Sequence, residues 1–288
     1  MLEPLATSAR ALSDAIRHHP HAFMILWLAG LCLAERLLRA FPIRGGPEGR
    51  RRWWTGIAFG AINHGLLPAL LTLPVLVWAA GLRLWSWPAA VPGWFAVALT
   101  IVALDLAGYW YHRISHYNQT LWRFHQVHHL DEEMDATTGL RVHFGERLIH
   151  TAINAALVAA LALPMAGVLI HTLVGYALAT FHHSNIRLPG WLERLLAPAI
   201  ITPAFHFPHH HAVRRDTDSN YGFIFPWWDH LFGTYNARRR TREWRMGLEY
   251  SPDLGCLDLL REPFRRTPLW RRRRVARRVE KSAEASVR

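Results

Sequence analysis

The feature that most constrains this chain is a histidine-rich stretch that runs from Asp105 to His129. It contains five histidines, namely His112, His116, His125, His128 and His129. The first two are four residues apart, and the other three follow the spacing i, i+3 and i+4. On α-helices, each set would project from one helix face. The spacing therefore predicts two short helices that present five imidazoles to one point.

A second histidine triple repeats the i, i+3, i+4 spacing at His206, His209 and His210. Neutral imidazole is a good ligand for iron, copper, nickel and zinc. A single histidine is usually an ordinary core or surface residue, but no apolar core needs eight of them at matched helical spacings. The repeated pattern therefore indicates a metal site assembled from distant parts of the chain.

The composition indicates a membrane protein with charged segments outside the bilayer. Of the 288 residues, 51% are apolar, yet 33 are Lys or Arg. Long apolar runs that alternate with dense basic segments are typical of multi-pass membrane proteins. The two cysteines, Cys32 and Cys256, stand far apart and outside any C-x-x-C motif. A disulfide framework, a cysteine zinc site and a protein-bound iron–sulfur cluster are therefore unsupported.

Four apolar segments are long enough to enter a membrane, at about 21–40, 56–80, 91–111 and 148–181. A bilayer core of ~30 Å needs about 20 apolar residues in a helix. The first segment lacks the features of a cleavable signal, so we expect it to be retained. The fourth is divided near Pro164 and Gly167, which predicts a helical hairpin that returns to the side it entered. The sequence therefore predicts an all-α integral membrane protein with about four transmembrane helices, the last two forming a hairpin.

The basic residues predict which side of the membrane each segment occupies. Arg44, Arg50, Arg51 and Arg52 follow the first span and place that loop in the cytoplasm. The histidine motifs and the C-terminus then also lie in the cytoplasm, where we expect a helical cap that holds a dimetal site. Residues 238–288 carry 16 of the 33 Lys and Arg against 7 Asp and Glu. We attribute this charge to contact with anionic membrane lipids and to topology rather than to nucleic-acid binding.

Several polar residues within the apolar segments need a separate interpretation. Asp105 precedes His112 by two helical turns, and a carboxylate inside an apolar span usually has a partner. We expect it to accept a hydrogen bond from a ligand imidazole and so orient that ring. A polar contact between helices is the alternative. For His64, His150 and His171, isolated on apolar segments, we expect structural roles.

Five motifs occur in a fixed order along the chain: HRISH, LWRFHQVHH, RVHFGE, FHHSNI, and HFPHHH followed by NYGFIFPWWDHLFGTY. In this order and separation they resemble the fatty acid hydroxylase/sterol desaturase superfamily of integral-membrane di-iron enzymes. The resemblance covers about 100–236, roughly half of the chain. It implies oxygen- and iron-dependent hydroxylation or desaturation of a C–H bond in a lipid.

The resemblance also implies a set of metal ligands, carried over position by position. They are His112, His116, His125, His128, His129, His143, His183, His206, His209 and His210. His143 matches an R-F-H-P-like element, but Phe144 stands where that element has proline. His182 occupies a variable position, so whether it is a ligand stays open. His211 and His230 are also at variable positions, and we expect them at the surface.

These observations combine into one functional hypothesis. Residues 1–99 form the N-terminal membrane spans, 100–236 the catalytic region and 237–288 a basic cytoplasmic tail. The catalytic region would hold two iron ions, which zinc could replace in purified protein, and would use O2 to oxidise a sterol, fatty acyl, carotenoid or ether lipid. The chain has no nucleotide-binding, haem-binding or cluster-binding motif, so a ferredoxin, flavodoxin or haem protein with its reductase would supply electrons. The alternative is a membrane metal-binding or metal-transport protein without oxygenase activity.

Overall fold

The computed structural model describes residues 19–43 and 45–265 of the chain. Four long helices dominate it: α1 Pro20–Leu38, α2 Gly46–Gly81, α3 Gly93–Tyr117 and α6 Met165–His183. All four are long and apolar enough to cross a membrane, as predicted. The shorter helices are α4 Gln119–His129, α5 Phe144–Leu161, α7 Gly190–Leu196, α8 Pro203–His206, α9 Arg214–Thr217, α10 Trp227–Leu231 and α11 Cys256–Arg261. No β-strand occurs within the described ranges, which confirms the all-α prediction.

Helix α2 begins ten residues earlier than predicted, at Gly46 rather than at about 56. Arg50 to Arg52 therefore lie on its first turns rather than in a loop. The helix widens into π-helical turns at Ala61–Leu66 and Pro68–Thr72. Proline has no N–H to donate and its ring clashes with the preceding turn, and a wider turn accommodates both effects. The helix therefore continues through Pro68 instead of ending there.

The fourth apolar segment is divided into two helices, α5 and α6, at the predicted place. Helix α5 ends at Leu161, and Ala162 adopts the left-handed conformation with φ of 49°. Pro164 then precedes the first turn of α6, where its missing N–H is harmless. Leu104, Val158 and Val168 are among the buried residues with which α3, α5 and α6 pack against the end of α2.

A buried carboxylate ties the end of the first span to the rest of the molecule. Glu35 accepts hydrogen bonds from the backbone N–H groups of Ala136, at 2.9 Å, and Asn185, at 2.6 Å. The Asn185 side chain in turn bonds to both the N–H and the carbonyl of Phe41. Asn185 therefore fixes the direction in which the chain leaves α1.

The segment between α4 and α5 is held by two buried arginines. Arg52 of α2 contacts Asp131 at 3.0 Å and also pairs with Asp135. Arg141, whose side chain is fully buried, donates to the carbonyl of Val127 and pairs with Asp253. These charge-assisted bonds satisfy most of the polar groups that the segment brings inside. The loop after α4 is therefore a rigid part of the core.

We predict that Gly139→Ala destabilises this arrangement. A Cβ atom at Gly139 would lie 2.7 Å from the carbonyl oxygen of Ala179 on α6, so one backbone has to move. Overpacking of this kind costs about 1–3 kcal/mol. The expected result is a lower melting temperature of the detergent-solubilised protein. Gly108→Ala is the matched control, because a Cβ there meets no atom within 4 Å, and equal melting temperatures for the two variants would contradict the prediction.

Candidate metal centre

Nine histidines gather into two adjacent groups where α3 and α6 end. Group A consists of His112, His116, His125, His129 and His209. Group B consists of His128, His183, His206 and His210. Within each group, the candidate ligand nitrogens all lie within 4.8 Å of one another. The two groups share a wall, because the rings of His129 and His210 stack with centroids 4.6 Å apart.

The first two histidine motifs reach this point on consecutive helices. His112 and His116 lie on adjacent turns at the end of α3. Asn118 adopts an extended conformation, and its side chain accepts from the N–H groups of Thr120 and Leu121 to cap α4. The chain therefore turns sharply between the helices. On α4, His125 and His129 face group A, while His128 between them faces group B.

The last motif divides in the opposite sense. His206 ends α8, and a 3-10 turn over Phe207–His210 carries the other two histidines. His206 and His210 belong to group B, whereas His209 belongs to group A. Each H-x-x-H-H triple therefore supplies two ligands to one group and one to its neighbour. The predicted meeting of the distant motifs is present, but as a pair of centres rather than a single point.

Five of the nine rings are oriented by an oxygen that accepts from Nδ1. His112 bonds to the carbonyl of Tyr221 at 2.8 Å, and His209 to that of Ser219 at 2.7 Å. The remaining three pairs are His116 with Asp218, His125 with Glu146 and His183 with the carbonyl of Ala179. An oxygen without a proton requires Nδ1 to be the donor, so in a neutral ring Nε2 carries the free lone pair. That tautomer is the one that binds a metal through Nε2.

The nitrogens that converge within each group fit metal ions. In group B, Nε2 of His183 lies 3.0–3.1 Å from Nε2 of His128, His206 and His210. Two nitrogens bound to one ion at about 2.0–2.1 Å are separated by roughly 3 Å. A neutral His183 whose Nδ1 donates to a carbonyl has no proton to give any of these three neighbours. A cation that accepts several lone pairs satisfies them together.

Burial favours the neutral form of five of these imidazoles. It lowers the pKa well below the usual range, and neighbouring histidines lower it further, for His128, His129, His206, His209 and His210. The ring centroids of Trp122 and Tyr221 each lie 5.0 Å from the ring centroid of His116, and these two side chains shield group A from solvent. Neutral, buried rings with inward lone pairs are suited to a soft or borderline divalent metal.

The matches to known proteins agree with this geometry. The model of the fatty acid hydroxylase family matches residues 97–234. A cholesterol 25-hydroxylase-like protein of Danio rerio is 30% identical over 192 residues, which cover 63% of this chain and 71% of the relative. The chain belongs to the fatty acid hydroxylase/sterol desaturase superfamily. The family predicted from the histidine motifs is confirmed.

Two further relatives of this hydroxylase-family chain are longer proteins. An ornithine lipid hydroxylase of Rhizobium tropici is 29% identical over 181 residues, which cover 62% of this chain and 54% of the relative. A human alkylglycerol monooxygenase is 28% identical over 248 residues, which cover 82% of this chain and 52% of the relative. The chain therefore spans about half the length of these two relatives. No solved structure matches it.

His143 is the one histidine implied by the hydroxylase-family resemblance that the structure does not bring to either group. Its Nδ1 accepts from the N–H of Gly145 and caps α5, while Nε2 faces the carbonyl of Leu260 at 3.1 Å. Both ring nitrogens therefore have protein partners. His182, which the sequence left open, also lies outside both groups, although its ring contacts those of His183 and His206.

Asp105 was predicted to accept a hydrogen bond from a ligand imidazole, and this prediction was wrong. Its carboxylate accepts from the N–H groups of Ile224 and Phe225 and from the indole of Trp228, not from an imidazole. These bonds hold the loop that carries the carbonyl of Tyr221 onto His112. Asp229 supports the same loop by accepting from the N–H groups of Tyr221 and Gly222. Asp105 therefore acts on the site through the loop.

Two carboxylates beside the histidines were missed in the sequence. Glu146 lies in the quoted RVHFGE motif, three residues after His143, and that motif was interpreted only for its histidine. Asp218, the partner of His116, is itself held by Arg214 at 2.9 Å. An acidic residue close to a histidine motif was the available signal for Glu146. No sequence signal marks Asp218, because it lies 102 residues from His116.

The expectations for the remaining histidines were mixed. His211 was expected at the surface, but it is buried, bonds to Asp216 at 2.6 Å and stacks on Trp244. His230 is exposed, as expected. His64 packs against Tyr176, and His150 packs against Tyr111, in agreement with structural roles. His171 lies near Phe223 and outside both groups.

We predict that Glu146→Gln weakens metal binding by roughly 10- to 100-fold, the usual effect of losing a charged partner of a ligand histidine. The neutral amide makes a weaker hydrogen bond to His125 and no longer raises the basicity of that ring. Competition between the protein and a chelator of known affinity measures the change. Glu249→Gln, an exposed change outside both groups, is the control. Equal metal affinity in both variants would show that Glu146 does not tune His125.

We predict that His143→Ala lowers stability without lowering the metal content. Removing the helix cap costs about 0.5–2 kcal/mol, and the loss of the buried ring adds to it. His143→Asn restores the cap and is expected to recover part of the melting temperature. Metal analysis of both purified variants is the decisive measurement, because the loss of metal from a folded His143→Asn protein would make His143 a ligand.

Proposed function

We propose that the chain is an iron- and O2-dependent hydroxylase or desaturase that acts on a C–H bond of a membrane lipid. The observation that carries the proposal is the pair of adjacent all-histidine groups, in which five of the nine rings are held by an oxygen at Nδ1 and so present the lone pair of Nε2 to the group. The relatives named above are lipid hydroxylases and monooxygenases by name, which supports the same chemistry.

Groups A and B would each hold one iron ion. Bound iron would supply the reduction of O2 that removes hydrogen from an unactivated C–H bond, which yields an alcohol, or an alkene after a second abstraction. A hydroxylation places one oxygen atom in the lipid and releases the other as water, so a pair of electrons and a pair of protons must arrive from outside. The chain's own part is to hold the ligands, orient the lipid and exclude bulk water.

Water exclusion follows from the packing of the loop over the site. Tyr221 is fully buried, and its ring lies 5.0–5.7 Å from those of His112, His116 and His209. Asp105 and Asp229 fix that loop from below through its backbone N–H groups. A rigid cover keeps the dielectric low around the ligands and protects a strong oxidant from side reactions.

Electrons would come from a separate protein on the cytoplasmic side. Arg214, Arg238 and Arg239 have exposed side chains in the segments that cover the metal centre. Ferredoxins and flavodoxins are acidic, so a basic face would steer and orient them. In this proposal the histidine groups and the C-terminus lie in the cytoplasm, which agrees with the basic residues that follow the first span.

We predict that His116→Ala and His128→Ala each abolish product formation and remove mainly the ion of their own group. The wild-type protein is expected to contain about two irons per chain and each variant about one, measured by elemental analysis of protein purified in detergent. His230→Ala is the matched control, since that side chain is exposed and outside both groups.

Activity is measured by lipid mass spectrometry of cells that make the protein together with a reductase and ferredoxin. The expected product carries one added oxygen or has lost a pair of hydrogens. Full turnover by His128→Ala would refute the assignment of group B. Stable metal loading without any oxidised lipid, accompanied by metal uptake into cells, would favour a metal transporter instead.

A further inference from the structure

A basic cavity of about 350 Å³ lies beside group B and takes no part in holding the metals. Its walls come from four parts of the chain that meet where two candidate spans end. Phe41 follows α1, and Ile186 lies three residues after His183 at the end of α6. Phe207 directly follows His206, and Arg240 closes the remaining side. Two of its walls are thus continuous with ligand-bearing segments.

The charge of the cavity is strongly positive. Four arginines line it, at positions Arg187, Arg194, Arg239 and Arg240, against one glutamate, Glu193. Glu193 is already engaged, because it accepts from the Thr202 hydroxyl at 2.6 Å and lies 3.6 Å from Arg239. The remaining lining is apolar, with Leu188 and Ala204 beside the two phenylalanines. Positive charge beside apolar walls matches an amphiphile with an anionic end.

Arg240 is the residue that most needs an anion. Its guanidinium lies over the rings of Phe41 and Phe207, at 4.2 and 5.1 Å from their centroids. Its Nε and Nη1 atoms are buried without a hydrogen-bond partner among the described residues. Burial lowers the pKa of Arg240 to about 10, although the charge of Glu133 acts in the opposite direction. An anionic phosphate beside the guanidinium would compensate its positive charge.

The position of the cavity identifies the source of the anion. The chain enters its walls directly after Leu38 and His183, the last residues of two helices able to cross a membrane. Helix α7, next to the cavity, exposes Trp191 and Leu195 by 63% and 66%. Exposed tryptophan and leucine at the end of a span are typical of the membrane interface, where lipid headgroups lie.

We propose that this cavity binds the phosphate headgroup of the lipid substrate and so sets that lipid beside group B. The identification of the lipid as substrate rests on the proposed function, whereas the binding of a lipid phosphate does not. A headgroup held by Arg240 fixes one end of a long molecule, and its apolar chain is then free to lie along the metal centre. Specificity for the lipid class would come from this cavity rather than from the histidines.

Native mass spectrometry of the detergent-purified protein tests the binding step. The probes are dioleoyl phosphatidic acid, dioleoylglycerol with the same chains but no phosphate, and inorganic phosphate alone. We expect the wild-type protein to prefer phosphatidic acid, and Arg240→Gln to weaken that binding by roughly 10- to 100-fold. Arg187→Gln, an exposed change in the same cavity, should weaken it less, and Arg215→Gln, exposed and outside the cavity, should not change it.

Only variants whose melting temperature and metal content match those of the wild-type protein are compared. If Arg240→Gln is unstable, Arg187→Gln provides the test instead. Equal affinity for phosphatidic acid and dioleoylglycerol would overturn the proposal, as would equal affinity for free phosphate.

Lipid mass spectrometry then tests the substrate step. The amount of oxidised phospholipid should fall with Arg240→Gln and not with Arg215→Gln. An unchanged yield of oxidised phospholipid would overturn the assignment as substrate. An absence of oxidised lipid from the wild-type protein would count against the proposed function, while the binding result would still decide the cavity.

Discussion

The hydrogen bond between an imidazole Nδ1–H and a fixed oxygen is the interaction on which the rest of this site depends. A histidine on a helix can rotate about two side-chain bonds, and helical spacing alone brings rings together without aiming their lone pairs. The acceptors on His112, His125 and His209 settle both the rotation and the tautomer. Other residues hold these acceptors in place. Asp105 and Asp229 accept hydrogen bonds from the loop whose carbonyls at Ser219 and Tyr221 are two of the acceptors. Around the candidate metal centre, one set of hydrogen bonds orients the imidazoles and a second set holds the acceptors of the first.

The alternation within each histidine triple explains why there are two centres. Residues four apart on a helix point in nearly the same direction, whereas the residue between them at i+3 is rotated by about 60° from the first. On α4 this rotation separates His128 from His125 and His129, and the last motif approaches with the opposite division. Two groups that share a wall follow from placing two such triples face to face.

The sequence predicted the elements and the ligands better than the contacts between them. Apolar length located the four long helices. Helical spacing pointed to eight of the nine histidines in groups A and B, and the family resemblance pointed to the ninth, His183. His143 was included among the ligands because the sequence alone does not distinguish a ligand histidine from one that caps a helix. In the structure its ring caps α5. Asp105 was given the wrong partner because its true partners are backbone N–H groups 119 and 120 residues away. Every residue type except proline has the same backbone donor and acceptor. The sequence therefore could not predict which backbone groups in the loop contact Asp105.

The same backbone acceptors explain why the centre lies where α3 and α6 end rather than midway along them. Inside a bilayer core, almost every carbonyl is already committed to its own helix, because an unpaired group there is too costly. The carbonyls of Ser219 and Tyr221 are free to accept from His209 and His112 only because their segment is irregular. Irregular backbone needs protein or water around it. A histidine cage of this design therefore has to be built at the ends of the spans.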